Sequence, residues 1–242
     1  MTTSEIVKSS PAFRARIAGL LYLISGWAYT FGDGSVRSKL VVDGDAAITA
    51  HNILAHGSLY RLAFATDLIA AVLYIAVTLL LYDLFSAVNK GLSLSAAFFS
   101  FGGCIIQAVS SLFYLAPLVV LGGAPYLNAF KLEQLQALAL LFLDVRVQFT
   151  NIFMVFFACY CILIGYLILR SKFMPRIIGV FMAIAGFGYM TFLSPPLAHN
   201  LFPHVLIPAG ALGEGSLILW LLIFGVNSQR WKEQASLRST IG

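Results

Sequence analysis

The chain has 242 residues, of which 60% are hydrophobic and only 10% charged, with a mean hydropathy of +0.90. A soluble domain is nearer one quarter charged, so a water-surrounded globule is excluded. The net charge of +5 and pI of about 9.2 come from charges scattered over short loops and tails, which argues against a nucleic-acid partner and for anionic lipid headgroups.

Long stretches with almost no charge read as membrane spans, because lipid offers backbone amides no hydrogen-bond partner and a helix satisfies its own. Six are expected: Ile17–Phe31, Leu62–Val88, Leu92–Leu121, Leu135–Leu169, Ile177–Leu193 and Val205–Val226. Their length and lack of period-two alternation exclude a β-barrel. The expected fold is therefore all-α, a polytopic bundle of six transmembrane helices in one membrane domain.

Taken in chain order, the first stretch follows Lys8, Arg14 and Arg16 as a signal peptide would, but "AYTFGDG" lacks a small-x-small cleavage site, so it reads as a retained helix. The segment 33–60 that follows holds "DGDAAITAHNILAHGSLY", a short helix capped by Asp43 or Asp45. Later connections are shorter: "NKG", "GGAPYLNAFKLEQ", "RSKFMPR" and the proline-rich "SPPLAHNLFPH". Short loops make successive helices antiparallel neighbours. With an even span count, Lys8, Arg14, Arg16, Lys90, Arg170, Lys172, Arg176, Arg230, Lys232 and Arg238 share one side, against Arg37, Lys39, Arg61 and Lys131 on the other. This bias places both termini in the cytoplasm and makes 33–60 an extracytoplasmic roof.

The fourth stretch carries "LFLDVRVQFTN" at Leu141–Asn151. Counted at about 1.5 Å per residue from the basic end of each helix, Glu214 lies roughly 24 Å up, Gln107 roughly 25 Å, Asn151 roughly 28 Å and Gln148 roughly 33 Å. Asp67 follows at roughly 34 Å, Arg146 at roughly 36 Å and Asp144 at roughly 39 Å. These residues share one outward layer. Leu135–Leu169 would span roughly 52 Å if continuous, so it either breaks near Asp144 or runs up into the roof; the roof is favoured. At about 100° per residue Asp144, Gln148 and Asn151 form one stripe, and Arg146 faces away from Asp144. Arg146 then needs another partner, and Asp67 and Glu214 are the candidates by depth.

Glu214, in "GALGEGSLILW" between two glycines, reads either as a contact for a proton, cation or ligand or as half of a structural ion pair. His51, His56, His199 and His204 all fall on the outer side, and with the acids they could build a metal-assisted hydrolase, but each pair is five apart and there is no HExxH. No metal or other cofactor is expected. Trp27, Tyr29, Tyr114, Tyr126, Tyr189 and Trp231 read as interface anchors and Trp220 as a packing residue. Cys104, Cys159 and Cys161 lie in apolar stretches and read as small packing residues. "RIAGLLYLISGWAY" at Arg16–Tyr29 echoes "RIIGVFMAIAGFGY" at Arg176–Tyr189, and its spaced glycines read as close helix packing.

"RIAGLLYLISG" (Arg16–Gly26), "LLYDLFSAVNKGLSLSAAFFSFGG" (Leu80–Gly103), "MPRIIGVFMAIAGFGY" (Met174–Tyr189) and "GEGSLILWLLIFGV" (Gly213–Val226) together carry a resemblance. The chain resembles an uncharacterised family of bacterial multi-pass membrane proteins, domain of unknown function 4386. That resemblance implies the bacterial plasma membrane and brings no activity or catalytic residues. The leading functional expectation is binding or transport of a small ligand or cation in an outward-facing polar vestibule. Glu214 would form its floor, and Arg146, Asp67, Gln107, Asp144, Gln148 and Asn151 its walls. The alternatives are the metal-assisted hydrolase and a structural or regulatory membrane subunit.

Overall fold

The computed structural model describes residues 10–239; Lys8 lies outside them. Every regular element among these residues is helical: α1 Pro11–Tyr29, α2 Ala46–Ala55, α3 Gly57–Ser86, α4 Lys90–Val120, α5 Leu132–Arg170, α6 Arg176–Tyr189, α7 Pro195–Leu201, α8 Ile207–Ile223 and α9 Ser228–Ser239. A single α turn at Ser38–Leu40, short 3-10 turns at Pro125–Ala129 and Met190–Leu193 and wide π turns at Thr30–Arg37 and Phe202–Leu206 link some of them.

Five helical stretches are long and apolar enough to cross a membrane: Gly57–Ser86, Lys90–Val120, Leu132–Arg170, Arg176–Leu193 and Pro195–Ile223. Only 28–44% of the most apolar window of each is buried inside the molecule. The remainder, including Val72, Phe98, Leu112 and Phe187, is exposed apolar surface, as expected of helices solvated by hydrocarbon. The expected first span falls in α1, which is 19 residues long but begins with Arg14 and Arg16 and is not among the five.

One expectation about the connections changes, and one open alternative is decided. "SPPLAHNLFPH" is not a loop: α7, the π turn and α8 form one helical stretch from Pro195 to Ile223. Its prolines sit at the first positions of α7 (Pro195 and Pro196) and of the π turn (Pro203), where the backbone N–H they lack is least needed. The stretch containing Asp144 does not break: α5 is a 39-residue helix, roughly 58 Å long.

The described residues divide into two compact units, one of residues 10–23, 73–103 and 151–239, the other of residues 24–72 and 104–150. The core of the first is a continuous apolar cluster that includes Ala18, Leu81, Phe85, Ile164, Ile168, Met182, Leu217 and Leu221. Its helices touch through glycine. A Cβ on Gly165 would lie 2.8 Å from the Ala183 nitrogen and the Gly179 oxygen, and one on Gly179 2.7 Å from the Gly165 oxygen, so α5 and α6 cross backbone to backbone. Gly213 brings α8 equally close to Phe181 and Ala185 of α6, and Gly19 brings α1 onto Leu221 and Leu222. Packing thus accounts for Gly19, Gly179 and Gly186 of the internal echo. Gly26 has nothing within 4 Å of its Cβ position.

In the same unit Arg14 pairs with Asp83, and its guanidinium lies over the Trp231 ring at 5.3 Å. The Trp231 indole N–H donates to the Leu84 carbonyl at 2.8 Å, so this tryptophan ties α9 to α3 rather than anchoring at an interface. Gln234 accepts from the Lys172 amide and donates to the Arg170 carbonyl, strapping α9 to the end of α5.

The second unit has its own apolar cluster: Val36, Leu40, Ile53, Tyr60, Ala63, Tyr114 and Leu143. Residues of the long 33–60 connection therefore pack with Leu143, while Leu132 and Leu141 of α5 stay exposed. Asp45, not Asp43, caps α2, its Oδ1 accepting from the Ile48 amide at 2.9 Å. Asp45→Ala should cost about 1 kcal/mol of local stability. Hydrogen exchange should speed up in α2 and stay unchanged in α6.

Candidate functional site

Ionisable side chains inside the long helices are rare, and besides the Arg14–Asp83 pair two groups stand out, one in each unit. In the second unit Arg146 is 3% exposed on α5. An arginine that deep demands compensation, because desolvating a charge costs several kcal/mol even after relaxation. It pairs with Asp33, in the π turn after α1, and with Asp67 of α3 at 3.5 Å. Its guanidinium also lies over the Tyr114 ring, 4.8 Å from the centroid.

Asp67, itself 1% exposed, is further satisfied by α4: Gln107 Nε2 donates to its Oδ1 at 3.1 Å and Ser111 Oγ to its Oδ2 at 2.8 Å. Four helical segments, those holding Asp33, Asp67, Gln107 and Arg146, therefore meet through one network. Arg146 Nε and the Tyr114 hydroxyl are buried there without a partner among the described residues, which leaves two donors facing inward.

Asp144 and Gln148 are exposed, on the side of α5 away from buried Arg146, and Asn151 is half-buried. The stripe inferred from helical angle is thus present, and it does not line the arginine network. Tyr114, expected as an interface anchor, is 1% exposed, stacked on Tyr60 at 4.4 Å and beneath the guanidinium.

In the first unit Glu214 occupies the middle of α8, an otherwise apolar helix. Arg146, the partner offered by depth, is not the one it has; its partners are tyrosines. Tyr189 of α6 donates to Oε1 at 2.7 Å and Tyr22 of α1 to Oε2 at 3.0 Å. Tyr74 of α3 in turn donates to the Tyr22 hydroxyl at 3.1 Å. Tyr189 is 7% exposed, so it too is no interface anchor.

The close approach needs glycine: a Cβ at Gly210, one turn before Glu214, would collide with the Tyr189 hydroxyl. Gly215 leaves open space beside the acid, with nothing within 4 Å of its Cβ position. Glu214 is in none of the ion pairs found among the described residues.

The tyrosines were not identified as site residues from sequence. Tyr22 and Tyr189 sit in the two echoing segments, which was the available signal. Asp33 was also not identified from sequence as a partner of Arg146.

The four histidines are exposed, and among the described residues no three His, Cys, Asp or Glu side chains group closely enough to hold a metal ion. Nothing among curated proteins or solved structures matches the chain. The family model "Domain of unknown function (DUF4386)" matches residues 17–225. A match from the first apolar segment to the end of α8, taken with helices of membrane-crossing length, places this chain in the DUF4386 family.

Proposed function

We propose that this is a multi-pass protein of the bacterial plasma membrane that binds a small cation or cationic ligand at Glu214. In this reading α1 is the sixth crossing helix, both termini are cytoplasmic, and the 33–60 segment roofs the extracytoplasmic side. Glu214 then lies in the outward half of the bilayer, roughly 24 Å above the cytoplasmic arginines.

The observation that carries the proposal is the chemistry around this acid. A carboxylate on an apolar helix has two neutral hydroxyl partners and is in no ion pair among the described residues. Hydroxyls orient a carboxylate without neutralising it, so its charge must be met by a proton or a bound cation. Open space at Gly215 gives access, and the hydroxyls of Tyr22 and Tyr189 supply further oxygen ligands.

The Arg146 network supports a different role for the other polar layer. Its cation already has two carboxylates, so it locks helices together; its two unpartnered donors are places for water or a ligand atom.

Thermal unfolding of purified protein in sodium, potassium or tetramethylammonium chloride, against N-methylglucamine at equal ionic strength, tests the proposal. At a hundredfold excess over Kd a bound cation stabilises by about 2.7 kcal/mol. One of the three should raise the midpoint of the wild type, and Glu214→Gln should abolish the rise. An equal rise in the mutant, or none in the wild type, removes Glu214 as a cation site.

A further inference from the structure

A second site lies in the first unit, where the α5–α6 connection meets the α8–α9 connection. A cavity of about 420 Å³ is bounded there by Lys172–Pro175 on one side and by Trp220, Phe224–Asn227 and Arg230 on the other. We propose that this cavity binds the phosphate of an anionic phospholipid headgroup. The inference rests on the membrane reading above and is independent of Glu214.

Its walls are of two kinds. Lys172 and Arg230 contribute two cations, and neither is in an ion pair among the described residues. Trp220, Phe224 and Met174 contribute apolar surface, and Phe224 is 59% exposed, so that wall faces outward. A free anion needs only the cations. A molecule with a charged head and a greasy tail uses both walls.

The frame is also fixed in advance. The Lys172 amide is held by Gln234, and the Asn227 amide donates to the Phe173 carbonyl at 3.3 Å, joining the two connections. Gly225, at φ +67°, ends α8 with its amide bonded to the Trp220 carbonyl. A Cβ there would lie 2.9 Å from the Ala12 oxygen, so only glycine makes this turn. The start of α6 has no side-chain cap, which leaves first-turn amides and the positive end of the helix beside the cavity wall at Pro175. Arginine and lysine together give the bidentate and point-charge recognition that phosphate takes.

The test uses the full chain in nanodiscs. In phosphatidylcholine discs, increasing fractions of phosphatidylglycerol should raise the unfolding midpoint. In Lys172→Gln/Arg230→Gln the half-saturating fraction should move up roughly thirtyfold, as two cations near an anionic surface imply. Lys90→Gln/Lys131→Gln, with the same charge change elsewhere, should behave as wild type.

Inorganic phosphate added to phosphatidylcholine discs should do nothing; if it reproduces the rise, the lipid assignment fails. The proposal also falls if phosphatidylglycerol leaves the wild type unmoved, or if it stabilises the double variant equally. As a measurement needing no cavity variant, Trp27→Phe/Trp231→Phe leaves Trp220 as the sole indole. Headgroup nitroxide on phosphatidylglycerol should quench it more than the same label on phosphatidylcholine, and equal quenching counts against the site. Failure to enter discs at all would instead fell the membrane reading.

Discussion

Arg146→Met should destabilise the protein by about 3–5 kcal/mol, the usual cost of stripping one partner from a buried ion pair. The reason is what remains. Asp67 is 1% exposed and keeps only Gln107 and Ser111 as donors, and Asp33 loses its cation. Arg146→Met/Asp33→Asn/Asp67→Asn should recover most of the loss, since the amides keep hydrogen bonds and no charge is left unpaired. Arg146→Met/Glu214→Leu should show no rescue, because Glu214 is bonded to Tyr22 and Tyr189. Denaturant titration in one detergent, with all four proteins, measures the cycle. If Arg146→Met is as stable as the wild type, the network is not a lock.

Gly165→Leu should cost about 3 kcal/mol, at the upper end for overpacking. Most clashes in a core are relieved when a flexible side chain turns away. Here the first atoms met are the Ala183 nitrogen and the Gly179 oxygen, both 2.8 Å from the new Cβ, so α6 itself must move. Gly26→Ala is the matched control: its Cβ meets nothing within 4 Å, and the gain in helix propensity should stabilise by about 1 kcal/mol. Thermal midpoints of the two variants should therefore move in opposite directions. A neutral Gly165→Leu would mean that α5 and α6 do not cross where the backbone places them.

The helices were legible because hydropathy and length suffice to find long apolar stretches. Sequence depth also found Asp67 as a partner of Arg146, since both fall at one level of their helices. It offered Glu214 as the other candidate, where the structure has Asp33. That choice depends on how each helix is turned about its axis, and α8 is apolar nearly all round, with no stripe to set its rotation. The tyrosines were hidden for a related reason. At the ends of apolar runs, Tyr114 and Tyr189 look like residues seated at a membrane surface, and only tertiary packing shows their rings buried. The prolines of "SPPLAHNLFPH" suggested a loop because proline is a turn signal, yet each falls at the start of a helical segment, where it is equally at home.

The Arg146 lock also bears on biogenesis. Asp33 and Asp67 precede Arg146 by 113 and 79 positions, so the ribosome delivers both acids well before the base. An arginine in a membrane-crossing helix is costly unless paired, and here both of its counterions are synthesised first. The newborn N-terminal half therefore waits with a charge deficit that only the arrival of α5 relieves, making that helix the step that commits the chain to its final assembly.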